Sequence, residues 1–279
     1  MDQQFQKIQM NTKTSKTLPP APPSDEADKD QVSALARGLQ LLDAFRSSER
    51  FLSLQELVER SGLPKATVSR LAYTLAANGY LEYSEHNGQF YLGARVISLG
   101  FSALGALRVR QVARPFMREL ADSCSASVGI GSRDRHTMLY IENAASTANQ
   151  NFRLNIGSRV PLATSAMGRA YYCGLDDRER EQLLTELSQR AGADFKQIKA
   201  SLDAGLKTYA EFGFCISAGE WQSDVNAVGV PFRPADGTVV LGFNCCGPAF
   251  QLPERDLREK WGPRLVNMVR NVEAATSAL

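Results

Sequence analysis

Apolar residues recur every three or four positions in two short segments near the start of the chain, which is the period of an α-helix. The first segment carries Leu35, Leu39 and Leu42. The second begins at Ser53, whose side chain can cap a helix together with that of Glu56, three residues later. We therefore predict two helices here, the second of which ends at Gly62.

A third helical pattern follows after a turn of only a few residues. Pro64 stands at its start, where the missing amide of proline costs nothing, and Asn78-Gly79 ends it. Its apolar face consists of Val68, Leu71, Ala72 and Leu75. Two short strand-like segments then flank Asn87-Gly88, a strong signal of a β-hairpin. Helices joined by a tight turn and followed by a hairpin predict a winged helix-turn-helix, with the hairpin as the wing.

The opposite face of the third helix differs from a surface that only meets water. It carries short hydroxyl groups, one lysine, one arginine and one tyrosine, and it carries no acid. In the major groove, Ser and Thr can bond bases or phosphates, and Arg can bind guanine through two hydrogen bonds. The face therefore predicts DNA binding. The competing interpretation is an ordinary helical hairpin whose outer face is merely polar.

The residues predicted to contact DNA lie on the third helix, on the first helix and in the wing. They are Lys65, Ala66, Thr67, Ser69, Arg70, Tyr73, Arg37, Asn87 and Gln89. Arg70 is the only arginine on the outer face of the third helix, so we expect it to read a base. The two wing residues are expected to reach a neighbouring groove or a phosphate.

Residues 94–124 form a second helical zone. Gly100 and Gly105 weaken a helix and Pro115 should kink it, so we expect two helical pieces rather than one rod. An apolar stripe in this zone is the predicted contact between two copies of the chain. It consists of Leu99, Leu104 and Leu107.

After about residue 125 the pattern changes to strands in runs, mostly antiparallel, with amphipathic helices around them. The predicted fold class is therefore α+β, with an N-terminal winged helix-turn-helix, a helical linker and a C-terminal domain built on an antiparallel sheet. The predicted boundaries are 1–30 for a disordered tail, 31–93 for the DNA-binding domain, 94–124 for the linker and dimerisation region, and 125–279 for the C-terminal domain.

Composition agrees with two domains and says little about partners. The chain has 279 residues, 43% of them hydrophobic, which suffices for sizeable cores. A net charge of +2 neither indicates nor excludes a nucleic-acid partner, because charge can be local. The sequence has no apolar run of the roughly 20 residues that a membrane span needs, and its N-terminus lacks a secretory signal. Five irregularly spaced cysteines fit free thiols in a reducing cytoplasm, where we expect the protein.

An enzyme is the main competing class. The chain has two histidines, His86 in the predicted wing and His136 in a polar loop, and neither has an evident nucleophile partner in the sequence. Cys245 and Cys246 should point to opposite faces of a strand, which makes them poor co-ligands for a metal. We therefore expect no catalytic residue, no metal and no cofactor. A third class, a small-molecule sensor that does not bind DNA, disagrees with the polar face of the third helix.

Five motifs, in their order along about residues 32–276, resemble the IclR-type family of bacterial transcriptional regulators. They are "ALARGLQLLDAF", "LSLQELVERSGLPKATVSRLAYTLAANGYLEY", "FYLGARVISLG", "GSRVPLATSAMGRAYYCGL" and "VNAVGVPFRPADGTVVLGFNCCGP". The resemblance implies a winged helix-turn-helix, a helical linker used in dimerisation and a GAF-like effector-binding domain. It also implies dimers, or dimers of dimers, on palindromic operators.

A small-molecule effector is expected near residues 164–168. Small side chains there leave backbone amides uncovered at a helix N-terminus, whose partial positive charge can bind a carboxylate. In the family that the chain resembles, the residues matching Ala166 and Met167 approach a bound small acid, so these two are carried over. The other interpretation of this segment is a close-packed helix start.

The predicted pocket also includes apolar walls and polar contacts. The full predicted set is Thr164, Ser165, Ala166, Met167, Phe152, Val160, Glu220, Trp221, Asn244 and Cys246. The sequence departs from the family's usual residues at Leu162, where His is frequent, and at residues 244–246, where Ser is frequent. The expected partners are operator DNA, a small carboxylic acid and further copies of the chain, with no membrane, and the expected targets are adjacent catabolic genes.

Overall fold

The computed structural model of this chain describes residues 32–46, 49–146, 154–234, 237 and 239–278. These residues form two compact units, one up to Arg95 and one from Val96 onward. The predicted tail, residues 1–30, lies outside the described residues.

The first unit contains three helices and a two-stranded hairpin. These elements are α1 (Ser33–Leu42), α2 (Leu54–Ser61), α3 (Lys65–Ala77), β1 (Leu81–Ser84) and β2 (Gln89–Leu92). The capping box predicted for α2 is confirmed, because Ser53 Oγ accepts from the Glu56 amide at 3.2 Å and Glu56 Oε2 accepts from the Ser53 amide at 2.7 Å. Gly62 ends α2 at a φ of 65°, as predicted.

The core of this unit lies between the helices and the start of the hairpin. Its buried members are Leu41, Leu52, Leu57, Val68, Ala72 and Leu81. The predicted first helix is confirmed, but the stripe that predicted it does not face the core, since Leu35 is 62% exposed and Leu39 is 55% exposed. Instead α1 buries Gly38 and Leu41. Leu71 Cδ2 of α3 would lie 4.0 Å from a Cβ atom on Gly38, which is an ordinary van der Waals contact.

The hairpin is confirmed and is joined to the helices by backbone hydrogen bonds. Its register pairs Leu81 with Leu92 and Tyr83 with Phe90. Leu52, just before α2, exchanges two backbone hydrogen bonds with Phe90, of 2.9 and 2.7 Å. The wing is therefore held against the helical part of the unit rather than attached only through its two ends.

The second helical zone forms two helices, α4 (Ala94–Ala106) and α5 (Arg108–Cys124), as predicted, but the break lies elsewhere. The helices meet at Leu107 with a bend of 75°, and Pro115 lies inside α5. Pro115 is exposed, so water can bond the carbonyl that its missing amide leaves free. Among the described helices, no single one is long and apolar enough to cross a membrane, and only this bent pair reaches that length and composition jointly.

The second unit is built on a six-stranded antiparallel sheet in the order β5-β4-β3-β8-β7-β6. The strands are β3 (Ser127–Asp134), β4 (Thr137–Ala145), β5 (Arg159–Pro161), β6 (Cys215–Ala218), β7 (Val225–Phe232) and β8 (Leu241–Pro248). The helices are α6 (Ala166–Gly174), α7 (Asp177–Ala191), α8 (Phe195–Phe212), α9 (Glu254–Asp256) and α10 (Gly262–Ser277). A 3₁₀ turn (Gly192–Asp194) precedes α8 and a π-helical turn (Leu257–Trp261) precedes α10. The predicted α+β class is confirmed.

The two faces of this sheet have different partners. One face packs on α5 and α10 and contributes the larger core, which includes Cys245. The other face packs on α6 and α8 and includes Tyr140 and Met138. Because side chains alternate along a strand, Cys246 lies on the α6 face while its neighbour Cys245 contacts Cys124 of α5, with the two sulfur atoms 3.5 Å apart. The α6 face is the one that holds a pocket.

Candidate functional site

The outer face of α3 is available for contact. Lys65, Ala66, Ser69, Arg70 and Tyr73 are exposed there, and the Tyr73 side chain is 77% exposed. Thr67, by contrast, is half-buried. Because Val68 and Ala72 are fully buried against the other helices, the polar face points away from the core of the unit.

The cations on this unit's candidate DNA surface have no acidic partners among the described residues. Lys65, Arg70 and Arg37 form no ion pair there. Two acids of the unit are bonded elsewhere, Glu49 to Arg60 and Glu56 to Ser53. The positive charges are therefore free to meet phosphate or base acceptors.

The wing and α1 place the remaining predicted DNA-binding residues at the surface. Arg37 and Asn87 are exposed, and Gln89, at the start of β2, is half-buried. Asn87 lies in the turn before Gly88, whose φ is 64°. A left-handed residue allows the tight turn that carries Asn87 to the tip of the hairpin.

A pocket lies on the α6 face of the sheet in the second unit. Its walls come from strands β4 to β8, from the start of α6 and from the loop between β6 and β7. The lining residues are Tyr140, Val160, Ser165, Ala166, Ser217, Trp221, Val225, Ala227, Asn244 and Cys246. The space between these atoms is about 290 Å³, counting its opening to solvent, but its enclosed part has room for only about one water molecule. A ligand larger than a water molecule enters only if part of the pocket wall moves. Trp221 is best placed to move, because it is half-buried and lies on an exposed loop.

The N-terminus of α6 lines this pocket through Ser165 and Ala166. Ser165 caps the helix, since its hydroxyl accepts from the Gly168 amide at 3.1 Å and donates to the Pro161 carbonyl at 2.6 Å. Among the described residues, no hydrogen bond uses the amides of Ala166 or Met167. These two donors and the partial positive charge of the helix end can bind an anion.

Glycines explain why this helix end lies directly on the sheet. A side chain on Gly229 of β7 would start 2.2 Å from the Ala166 carbonyl oxygen, and one on Gly242 of β8 would start 2.5 Å from that of Met167. No larger residue fits at either position without moving backbone. The two glycines therefore fix the first turn of α6 against the strands that line the pocket.

The predicted effector-binding residues divide into two groups. Six of them line the pocket, namely Val160, Ser165, Ala166, Trp221, Asn244 and Cys246. Phe152 lies outside the described residues. Three others, Thr164, Met167 and Glu220, are not among the lining residues. The Met167 side chain packs on Gly131, the Glu220 carboxylate bonds Arg169, and the Thr164 backbone carbonyl accepts from Ser217 Oγ at 2.7 Å.

Sequence reasoning did not find four of the lining residues, Tyr140, Ser217, Val225 and Ala227. Their positions depend on strand register, which a single sequence does not give. Ala227 pairs with Cys246 across β7 and β8, so it reaches the pocket through its partner. Alternation along β4 could have shown only that Tyr140 shares a face with Met138.

Arg169 is the most connected buried polar side chain around the pocket. It is 4% exposed, and its guanidinium donates to the carbonyls of Ala163 and Ile216 at 3.0 and 2.6 Å. It also donates to Ser201 Oγ at 2.7 Å and to both carboxylate oxygens of Glu220. The side chain thereby joins α6, α8, β6 and the loop that carries Trp221.

The described residues offer no cluster of side chains that could hold a metal ion. No group of three or more His, Cys, Asp or Glu side chains among them could hold a metal ion. All five cysteines are free and buried, while His86 and His136 are exposed. The side chains that line the pocket are uncharged types.

Comparison with known proteins finds a matching family model for each of the two units. The model of the IclR helix-turn-helix domain matches residues 34–85, and that of the bacterial transcriptional regulator IclR C-terminal domain matches residues 101–275. These matches and the winged helix define a DNA-binding transcriptional regulator. The chain belongs to the IclR family of bacterial transcriptional regulators, a family of regulators and not of enzymes.

Individual relatives cover nearly the whole chain. The HTH-type transcriptional regulator TsaQ1/TsaQ2 of Comamonas testosteroni is 32% identical over 255 residues, 91% of each chain. The p-hydroxybenzoate hydroxylase transcriptional activator of Acinetobacter baylyi is 25% identical over 249 residues, 86% of this chain and 90% of the relative. An IclR family transcriptional regulator from Brucella abortus, known from a crystal structure, is 40% identical to this chain in sequence. The two structures match with a TM-score of 0.79 over 90% of this chain and 95% of the Brucella chain.

Proposed function

We propose that this regulator binds a palindromic operator as a dimer or a dimer of dimers, and that a small organic acid bound in the second unit switches its affinity for the operator. Residues 31–93 carry DNA binding, residues 94–124 carry dimerisation and residues 125–279 carry effector binding. The regulated genes are catabolic genes beside its own, and the protein acts in the cytoplasm. The observation that carries the proposal is the pocket that Ala166 lines at the N-terminus of α6, where the amides of Ala166 and Met167 have no hydrogen-bond partner among the described residues, in one chain with the unpaired cationic face of α3.

Operator reading rests on the exposed donors of α3. Arg70 and Lys65 have no acidic partner among the described residues, and Ser69 and Tyr73 stand beside them on the same exposed face. One winged unit contacts few base pairs, and a two-fold protein matches a palindromic site. Two copies of the α3 face therefore give the selectivity that one copy lacks.

Self-association is proposed to use α4. Its exposed apolar side chains are Ile97, Leu99 and Phe101, which are 58%, 58% and 71% exposed. Of the stripe predicted for this contact, Leu99 belongs to that exposed set, while Leu104 and Leu107 pack partly against the core of the second unit. Exposed apolar side chains in sequence along one helix favour a protein contact.

A carboxylate is the proposed effector group because backbone amides at the start of α6 are free to donate to it. No cationic side chain lines the pocket, so these amides are the proposed anion-binding groups. The buried guanidinium of Arg169 is fully occupied by its five acceptors and does not line the pocket. The Acinetobacter baylyi relative is a transcriptional activator named for p-hydroxybenzoate hydroxylase. That name places aromatic acids among the first effectors to test.

Arg70→Ala tests the DNA-binding half of the proposal. We expect it to weaken binding to the DNA upstream of the protein's own gene by about 1–3 kcal/mol, because a bidentate contact to a base is lost. Binding to random DNA at low salt should fall much less. Gel shifts with both DNAs measure this, with Arg178→Ala, an exposed arginine of α7 in the second unit, as the control for loss of one charge.

Equal losses on operator and random DNA would make Arg70 a phosphate contact without base reading. A wild-type protein that binds the upstream DNA no better than random DNA would contradict operator binding. Acid binding by such a protein would then favour the alternative, a small-molecule sensor or enzyme without sequence-specific DNA binding.

A further inference from the structure

One buried polar atom in the pocket has no partner. Asn244 is 4% exposed and its Nδ2 donates to the Tyr140 hydroxyl at 2.7 Å. Its Oδ1 is buried and accepts no hydrogen bond from the described residues. A buried acceptor without a partner destabilises the folded protein, and a donor bound at this atom removes that penalty.

The local backbone is shaped to bring this side chain and Tyr140 together. Asn244 lies on β8 and Tyr140 on β4, and β3 runs between them. Gly129 of β3 pairs directly with Asn244. A Cβ atom on Gly129 would lie 2.4 Å from Tyr140 Cε1 and 2.9 Å from Asn244 Oδ1, so only glycine lets the two side chains meet across the middle strand.

The surroundings of Asn244 Oδ1 are uncharged. Burial raises the pKa of the Tyr140 hydroxyl well above its usual value, and burial raises the pKa of the Cys246 thiol to about 12. The Cys246 sulfur lies 3.7 Å from the Tyr140 oxygen. At neutral pH this group, here called the polar floor (Tyr140, Asn244 and Cys246), suits a neutral hydrogen-bond donor better than a charged one.

We propose that Asn244 Oδ1 accepts a hydrogen bond from a hydroxyl group of the effector, so that the pocket selects hydroxylated small acids over the same acids without the hydroxyl. This inference rests on the proposed function, in which the carboxylate of the effector binds the α6 amides. Tyr140 acts as a positioning residue, because its oxygen holds Asn244 Nδ2 and leaves Oδ1 for the ligand. A site built to hydrogen-bond a hydroxyl rejects the analogue that lacks it, since the buried group is then left unpaired.

The test is calorimetric titration of the full-length protein with matched acids. The probes are benzoate with its three hydroxybenzoates and 4-methoxybenzoate, and propionate with lactate. We expect at least one hydroxylated acid to bind about tenfold or more tightly than its parent, the equivalent of about 1.4 kcal/mol. The methoxy analogue, which cannot donate, should bind no better than benzoate.

Asn244→Leu keeps the side-chain size and removes the acceptor, so the ratio of the affinities for the hydroxylated acid and its parent should fall to about one. Tyr140→Phe should also reduce the preference, because the carboxamide is no longer held. Thermal unfolding of both variants checks the fold.

Two results would overturn the inference. One is a wild-type protein that binds parent and hydroxylated acids equally, and this test needs no variant. The other is a preference for the hydroxylated acid that survives in Asn244→Leu. That result would mean that Asn244 Oδ1 of the wild-type protein bonds water and not the hydroxyl of the acid. Either result leaves the proposed acid site intact, whereas failure of every acid to bind would contradict that site as well.

Discussion

We expect Arg169→Met to lower the free energy of unfolding of the second unit by about 2–5 kcal/mol. Methionine fills much of the same volume but donates no hydrogen bond, so the carbonyl of Ile216 and the Ser201 hydroxyl lose this donor, while the carbonyl of Ala163 keeps only the hydrogen bond from Ser201, at 2.9 Å. Each buried acceptor left without a partner costs about 1–3 kcal/mol. The Glu220 side chain is 44% exposed and can turn to water, so its charge adds less than a fully buried one would.

Urea unfolding followed by far-UV circular dichroism measures this loss. Arg178→Met is the matched control, because Arg178 is exposed on α7 and its replacement should change stability by no more than about 0.5 kcal/mol. Arg169→Met should also free the loop that carries Trp221, since Glu220 loses its anchor. Equal stability of the Arg169 and Arg178 variants would show that the hydrogen bonds around the guanidinium contribute nothing to the fold.

The second large effect is expected for Ala166→Asp, which should abolish the response to an acid effector. Ala166 lines the pocket at the first position of α6, so an aspartate there places a negative charge where the effector carboxylate is proposed to bind. Two such charges about 4 Å apart repel by roughly 4 kcal/mol at an effective dielectric constant near 20. The helix N-terminus favours the new carboxylate, so the variant should keep its fold and its operator binding.

Calorimetry with the same acids measures the change, and Ala166→Asn separates charge from size. The Asn variant adds nearly the same volume without charge, so it should lose less affinity than the Asp variant. Undiminished acid binding by a folded Ala166→Asp protein would place the acid site elsewhere in the chain.

The first unit could be predicted from the sequence because local interactions determine most of it. The capping residues Ser53 and Glu56, the left-handed Gly62 and the Asn87-Gly88 turn act within a few residues of one another. Periodicity found the helix α1 but not its buried face. Leu35 and Leu39 have the spacing of a core stripe, yet the fold buries Gly38 and Leu41, because the choice of face depends on where α3 lies.

The pocket could be predicted only in part, because it depends on contacts between distant segments. The start of α6 was found from its small residues after Pro161, whereas Tyr140 enters through strand register and the gap at Gly129. Glu220 looked like a polar contact to a ligand because nothing in the sequence shows that Arg169, 51 positions away, takes its carboxylate.

The break between α4 and α5 shows a similar limit. The sequence predicted a kink at Pro115, but the helix continues through it, and the chain bends at Leu107 instead. Burial of the α5 face that includes Ala113 and Met117 holds the helix together across the proline. Tertiary packing therefore overrode the kink that local propensity predicted at Pro115.

The central claim, that an acid bound in the second unit changes operator affinity, is tested most directly by fluorescence anisotropy of labelled upstream DNA. The wild-type protein is titrated into this DNA without acid and with each of the acids used in calorimetry. We predict that an acid that binds the protein shifts the operator dissociation constant about 5- to 150-fold, the usual range of coupling between two sites, and leaves random DNA unaffected. Operator binding that stays unchanged at saturating concentrations of every acid that binds would contradict the claim.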